Sequence, residues 1–197
     1  VSEDRVALGR KALQRNADLL ARIEARYGVE KEVVVAIWGL ESAYGTYRGD
    51  VPTISALATL AYDGRRAVFF EGQLVQALTI LDEAHVAPEA MVGSWAGAMG
   101  HTQFMPSSWA EFAQDFDGDG RRDIWGDDPG DALASTAHYL AKWGWQQGLP
   151  WGLEVKLPTG FDYDQTTERV KKPVADWRAL GVTPMAGKDL PEGPEAS

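Results

Sequence analysis

Apolar positions along the first three quarters of the chain recur at helical spacing. Over 4–27, Val6, Leu13, Ala17, Leu20, Ile23 and Tyr27 follow the helical repeat and Gly28 is a natural stop, which predicts one amphipathic helix. Residues 30–43 predict a second helix, apolar on nearly every face and therefore buried. Pro52 opens a third over 53–61, and 65–84 a fourth with Phe69, Leu74, Leu78 and Leu81 inward. A Gly-rich segment, GSWAGAMGHTQFMPSS at 93–108, predicts tight turns. Ser108 and Glu111 have the capping-box spacing for a short helix through Phe116. Asp128 caps a further helix over 129–143, closed by Gly144.

After 148 the period changes. Leu153, Val155 and Leu157 alternate as in a strand that Phe161 and Tyr163 extend, and 173–180 predicts one short helix. The expected fold is mainly α with a small β element near the C-terminus. It divides into a helical domain over 1–148, a β/irregular appendage over 149–183 packing on it, and a flexible tail over 184–197 rich in Pro, Gly and charge.

Composition narrows the chemistry. The net charge of −10, with no run of five or more basic residues, argues against nucleic acid as a partner. There is no cysteine, hence no disulfide and no thiolate chemistry. No apolar span reaches the length of a membrane helix, about 18 residues. The chain opens on Val1-Ser2-Glu3-Asp4 without a signal peptide or initiator Met, and is read as a processed or trimmed piece. Eight Trp suit a core, and also grooves that hold flat ligands such as sugars. Trp95, Trp109, Trp125, Trp143 and Trp145 are expected mostly in the core. His85, His101 and His138 are scattered and no HExxH occurs, which argues against catalytic zinc. Nucleotide-binding and serine-hydrolase motifs are missing too.

The stretch AIWGLESAYG at 36–45 sets a carboxylate at the end of the most apolar helix. Val33, Ile37 and Glu41 stack on one face. If that face points inward, Glu41 loses hydration and its pKa rises, as a general acid requires. Gly39 and Gly45 would leave room for a ligand, with Trp38, Tyr44 and Tyr47 as stacking walls. The plain alternative is a Glu turned outward at a helix end. A second cluster lies in DFDGDGRRDIW. Asp115, Asp117 and Asp119 fall at positions 1, 3 and 5 of an EF-hand-like loop, Gly120 at the turn position, Arg121 where only a carbonyl is used, and Asp123 at position 9. Gly126 stands where a calcium sensor has its closing Glu.

These segments carry a resemblance. ESAYG fits the Glu-Ser-x-x-Gly motif of lytic transglycosylases and goose-type lysozymes. The more specific block GSWAGAMGHTQFMPSSW resembles that of the membrane-bound lytic transglycosylase B family, and DFDGDGRRDIW followed by DPGDA agrees in order, the likeness running from about residue 5 to 180. The resemblance implies a lysozyme-like helical fold. It implies non-hydrolytic cleavage of the β-1,4 bond between N-acetylmuramic acid and N-acetylglucosamine in peptidoglycan. The muramoyl C6 hydroxyl attacks C1 to leave a 1,6-anhydro end, and one Glu acts as acid and then base; by position that is Glu41. It further implies substrate contacts at Ser94, Gln103, Arg65, Arg66, Phe69 (where the family has Tyr) and Tyr139. The metal set is Asp115, Asp117, Asp119, Arg121 and Asp131, Asp131 closing the loop around Ca²⁺, or Na⁺ in its place, in a structural role. No organic cofactor is implied. A monomer in the periplasm is expected, with a membrane contact only through a lipid anchor outside this chain. The family's terminal segment with a Tyr-Asn pair is missing here. Two alternatives stand beside this reading: a lysozyme-type hydrolase of the same bond, and a non-catalytic peptidoglycan-binding fragment.

Overall fold

The computed structural model describes residues 2–149, 152–167, 169–185, 189–190 and 195–196. It forms two compact units, Val1–Gln147 and Gly148–Ser197. The first contains α1 (Glu3–Arg15), α2 (Ala17–Tyr27), α3 (Lys31–Ser42), β1 (Val51–Pro52), α4 (Thr53–Asp63), α5 (Ala67–Asp82), β2 (Val92–Gly93), α6 (Pro106–Phe112) and α7 (Gly130–Lys142). The second contains β3 (Val155–Lys156), α8 (Val174–Ala179) and β4 (Thr183–Pro184).

Helix α7 is the axis of the first unit. Every residue from Gly130 to Ala137 is buried, a run of mostly small side chains that lets neighbouring helices approach on all sides. Leu133, Ala134 and Ala137 face a core of Leu20, Ile23, Val34, Val35 and Trp38 from α2 and α3. Ala132 faces the other core, where Leu57, Ala77 and Ile80 meet Met99, Trp109, Phe112, Ile124 and Trp125. The two-residue ladder β1–β2 pairs Val51 with Gly93 and Pro52 with Val92, joining the segment after α3 to the start of the Gly-rich loop.

The helices fall where the apolar period puts them, with four departures. The single helix expected over 4–27 is two. At Asn16 both the backbone N–H and the side-chain amide donate to the Ala12 carbonyl, and this competition with the helix ladder ends α1. Helix α3 is not buried all round: Val34, Val35, Trp38, Gly39 and Ser42 face the core, whereas Leu40 is 72% exposed and Glu41 also lies open. On α5 the inward set is Phe70, Gln73, Ala77 and Ile80, with Leu74 and Leu81 half-buried, while Phe69 and Leu78 face out. With so few polar residues on α5, periodicity could not fix which stripe turns inward. Helix α6 does not use the Ser108–Glu111 capping box. Gln73 reaches across from α5, accepting from the Ser107 N–H at 3.0 Å and donating to the Ser107 hydroxyl at 2.9 Å. The helix stops at Phe112, four residues early, because the backbone goes extended at Ala113.

Trp109 and Trp125 are core residues, but Trp95 and Trp143 stand 73% and 71% exposed, against expectation. Trp145 is half-buried and donates to Glu30 at 2.7 Å.

In the second unit, Trp177, Val182 and Leu190 gather Leu157, Phe161 and Val174 around them. The expected strand is short. Val155 pairs with Pro184 and Lys156 with Thr183, and Tyr163 falls in a single turn of 3-10 helix. In the stretch assigned as a tail, Pro184 belongs to β4, Leu190 is buried and Ala196 bridges Lys172; 186–188, 191–194 and 197 lie outside the described residues.

Candidate active site and metal loop

Helix α3 ends in an unusual reversal. Ala43 and Tyr44 are both left-handed, at φ 49° and 60°, and Gly45 follows at φ 81°. Non-glycine residues adopt this conformation at a cost, and such strain gathers at functional sites. Of the four non-glycine residues with positive φ among the described residues, three are Ala43, Tyr44 and Gln103. The reversal leaves Glu41 on the last turn, with its carboxylate in solvent and no hydrogen bond or ion pair to another described residue. Val33 and Ile37 below it are half-buried. The face is apolar, as the spacing indicated, but it opens at Glu41, so the desolvation expected from the sequence is not present in this state.

The glycines serve packing rather than ligand access. A Cβ on Gly39 would lie 2.6 Å from the Tyr44 ring, and one on Gly45 2.5 Å from His101 Nδ1. Tyr44 meets Trp38 edge-on and donates to the Arg5 carbonyl at 2.8 Å. Trp38 is buried and only Tyr47, at 75% exposure, is open. In the Gly-rich loop, a Cβ on Gly97 would strike Leu57 and one on Gly100 the Ile124 carbonyl. These glycines let the loop lie on its own protein.

Ser94 accepts from the Ala98 N–H at 3.0 Å and the Ala96 N–H at 3.3 Å, stitching the loop that lifts Trp95 into solvent. Gln103 donates to the Arg48 carbonyl at 3.1 Å and the Gly100 carbonyl at 2.8 Å, which ties the loop to the segment after the acid. Gln103 is thus tied to the segment that follows α3, whereas the side-chain bonds of Ser94 stay within its own loop. The bonds of the other predicted contacts do not reach that segment. Arg65 pairs with Asp63 at 2.6 Å on the surface, and Arg66 lies 4.3 Å over the Phe69 ring. Tyr139 sits among Phe104, Phe112 and Trp143.

Sequence reasoning missed Arg48 and His101. The buried His101 ring accepts from Trp38 Nε1 and sits against the Gly126 carbonyl, and Arg48 bonds the same carbonyl and Asp127. A His between Gly100 and Thr102, set against a Trp on the acid's own helix, leaves no local signature. Burial, first of all, holds the His101 pKa below 6.5; the charge of Arg48 lowers it further, while the Gly126 carbonyl, Asp123 and Asp127 oppose. A histidine disfavoured as a cation contributes stability that is complete above the unfolded value and is lost as pH falls from about 6.5 through the lower folded value. Thermal melts should therefore show a steeper loss between neutral and acid pH in the wild type than in His101→Gln. Comparing the two chains removes the opposite trend of Asp131.

In the aspartate loop, one carboxylate oxygen each from Asp115, Asp117 and Asp119 lies within 4.8 Å of the others. The loop is wound by its own aspartates: Asp115 accepts from the Gly118 and Gly120 N–H groups, Asp117 from Asp119, and Asp119 from Arg121. Asp131 is 7% exposed and stands apart from this trio. Its two oxygens accept from the N–H groups of Phe116 at 2.7 Å and Asp123 at 2.9 Å, tying both limbs of the loop to α7. Burial pushes its pKa up to about 6; those two bonds oppose the rise, and the charges of Asp117 and Asp115 add to it. An all-oxygen, multiply anionic donor set of this kind fits a hard cation such as Ca²⁺.

Residues 1–197 match the family described as the transglycosylase SLT domain. The membrane-bound lytic murein transglycosylase B of Escherichia coli K12 is 36% identical over 191 residues, covering 94% of this chain and 50% of that protein. A crystal structure of SltB3 from Pseudomonas aeruginosa in complex with NAG-anhNAM-pentapeptide superposes with a TM-score of 0.92 at 50% identity, covering 100% of this chain and 53% of that one. The Escherichia coli lytic transglycosylase Slt35 in complex with calcium gives 0.88 at 34% identity, covering 100% and 62%. The chain spans about half the length of the curated relative it matches.

Proposed function

The chain belongs to the transglycosylase SLT domain family, and on that premise we propose that it cleaves peptidoglycan glycan strands as a lytic transglycosylase. The observation that carries the proposal is Glu41: a carboxylate without a partner among the described residues, standing on an apolar helix face beside a strained turn. A side chain with no structural bond, held by a backbone that costs energy to form, suits a chemical role better than a structural one.

In this reading a glycan strand covers Glu41 and the exposed Leu40. Burial under the sugar supplies the desolvation that the free site lacks, so the carboxyl holds its proton and delivers it to the glycosidic oxygen. The carboxylate left behind takes the proton of the muramoyl C6 hydroxyl as that oxygen bonds to C1, giving a 1,6-anhydro end. Glu41 thus serves as acid and then base with no second carboxylate, unlike the paired acids of most glycosidases. Asp50 and Asp63 are both exposed, and Asp63 is held by Arg65. Ser94 and Gln103 hold the loop beside the acid, while Arg65, Arg66, Phe69 and Tyr139 belong to more distant substrate contacts, the arginines suiting lactyl or peptide carboxylates. The SltB3 complex with NAG-anhNAM-pentapeptide supports this choice of substrate. The setting that follows is the bacterial envelope, in the periplasm. No described helix is long and apolar enough to cross a membrane.

Digestion of purified peptidoglycan followed by mass spectrometry tests the activity. The expected soluble fragments end in 1,6-anhydromuramic acid and weigh one water less than hydrolytic products. Reducing ends would identify a lysozyme-type hydrolase, and no release at all a binding module.

For the metal loop we propose Ca²⁺ held by Asp115, Asp117 and Asp119 with the Arg121 carbonyl, Asp131 bracing the loop from α7. Na⁺ is the weaker candidate. The ion supplies charge neutralisation for clustered carboxylates and has no part in bond cleavage. The calcium complex of Slt35 supports the assignment. Calcium at 100 times its dissociation constant should add about 2.7 kcal/mol, or about 5–10 °C in Tm, to chelated protein. Melting curves with and without calcium, repeated on Asp117→Asn, check this. An unchanged Tm would remove the ion from the account.

A further inference from the structure

We propose that His101 is a positioning residue for Glu41, gripping the acid's helix one turn before the carboxylate and the reversal just after it. The inference rests on the reading of Glu41 as the acid. Trp38, three residues ahead of Glu41, donates its indole N–H to His101 Nδ1 at 3.1 Å, with the rings 5.7 Å apart at 62°. Gly45, four residues behind, presses so closely on the same ring that an added Cβ would fall 2.5 Å from Nδ1. Ser42, directly adjacent, donates its hydroxyl to the His101 carbonyl and accepts from the Gly45 N–H at 2.9 Å. Residues on both sides of the acid therefore rest on one side chain and its carbonyl.

The far edge of the ring is fixed as firmly. Nε2 lies 2.7 Å from the Gly126 carbonyl. Arg48 donates to that carbonyl through Nη1, and its Nη2 meets Asp127 at 3.3 Å. Because Nδ1 accepts from Trp38, the proton belongs on Nε2, facing the Gly126 carbonyl; Arg48 Nη1, 3.1 Å from Nε2, then gives its hydrogen to that same carbonyl and not to the ring. The charges facing the ring are Arg48, Asp123 and Asp127; α3 presents only the Trp38 N–H. Ala43 and Tyr44 hold left-handed conformations that persist only when the surroundings over-determine them, and His101 holds the residues on either side of them, Ser42 and Gly45. His101 does not touch the substrate in this account. It sets where Glu41 stands when the sugar arrives.

Steady-state turnover of a soluble peptidoglycan fragment by wild type, His101→Gln and Glu41→Gln, with the folded state followed by circular dichroism, tests the proposal. An amide has no ring to lie beneath Gly45. Displacement of the acid by about 1 Å should lower kcat about 100-fold while KM stays within a few-fold. Nitrogen NMR of wild type should show His101 as the Nε2–H tautomer at neutral pH. A folded His101→Gln with wild-type kcat, or a ring protonated on Nδ1, overturns the proposal while leaving the acid reading intact. Full activity in Glu41→Gln overturns both. Should His101→Gln not fold, Trp38→Phe removes the N–H donor to Nδ1 together with part of a buried ring, and its kcat is read on protein shown to be folded by circular dichroism. A several-fold fall in its kcat with unchanged KM supports the clamp, and unchanged kcat refutes it.

Discussion

Glu41→Gln is expected to lower kcat on peptidoglycan by about 1000-fold and to leave Tm within a degree or two, because general acid–base catalysis contributes about 10²–10⁴-fold and surface substitutions away from structural bonds cost little. The amide keeps the shape and exposure of the carboxyl but cannot deliver a proton. Since Glu41 bonds no described residue, nothing in the fold depends on its charge. Loss of activity can therefore be read as loss of chemistry, provided that the melting curve is superimposable. Binding of an intact glycan fragment should survive. A large fall in Tm accompanying the fall in kcat would instead give Glu41 a structural partner.

The second large effect is on assembly of the site. Gly49→Ala is expected to destabilise the protein by about 3–5 kcal/mol, the sum of overpacking and an unfavourable left-handed backbone. Gly49 has φ +88°, and a Cβ there would fall 2.1 Å from the carbonyl carbon and oxygen of Gly93. Both obstacles are backbone, so no side-chain rotation relieves them. Here the chain leaving Glu41 runs directly against the start of the Gly-rich loop, next to the β1–β2 ladder. Chemical denaturation measures the loss. Activity should fall even in the fraction that remains folded, since Gln103 bonds the carbonyl of neighbouring Arg48. Gly72→Ala, in α5 with open space around its Cα, is the control and should be neutral or slightly stabilising.

Some of this organisation was open to reading from residue order. Helix positions followed from the apolar period, and the EF-hand spacing of Asp115, Asp117 and Asp119 placed three carboxylates that do converge. Which face of a helix turns inward was not legible where apolar residues surround it, as on α3 and α5. There the decision belongs to partners far along the chain: Tyr44 over Gly39, His101 under Gly45, Gln73 across to Ser107. Glycines near the acid suggested room for a ligand, yet their room is filled by the protein's own rings. Glu41 stands out by its setting at the end of an apolar run, although the stripe of that run carrying it opens to solvent while Val34, Val35 and Trp38 face the core. His101 and Arg48 gave no local sign, because their importance lies in contacts 25 to 79 residues away in sequence.

The most direct test of the central claim is digestion of peptidoglycan in heavy-oxygen water, with mass spectrometry of the released muramoyl ends. The intramolecular route predicts anhydro ends carrying no label, since the C6 oxygen of the sugar itself closes on C1. Heavy oxygen at C1 of the new ends would mean that water is the nucleophile, and would contradict the account.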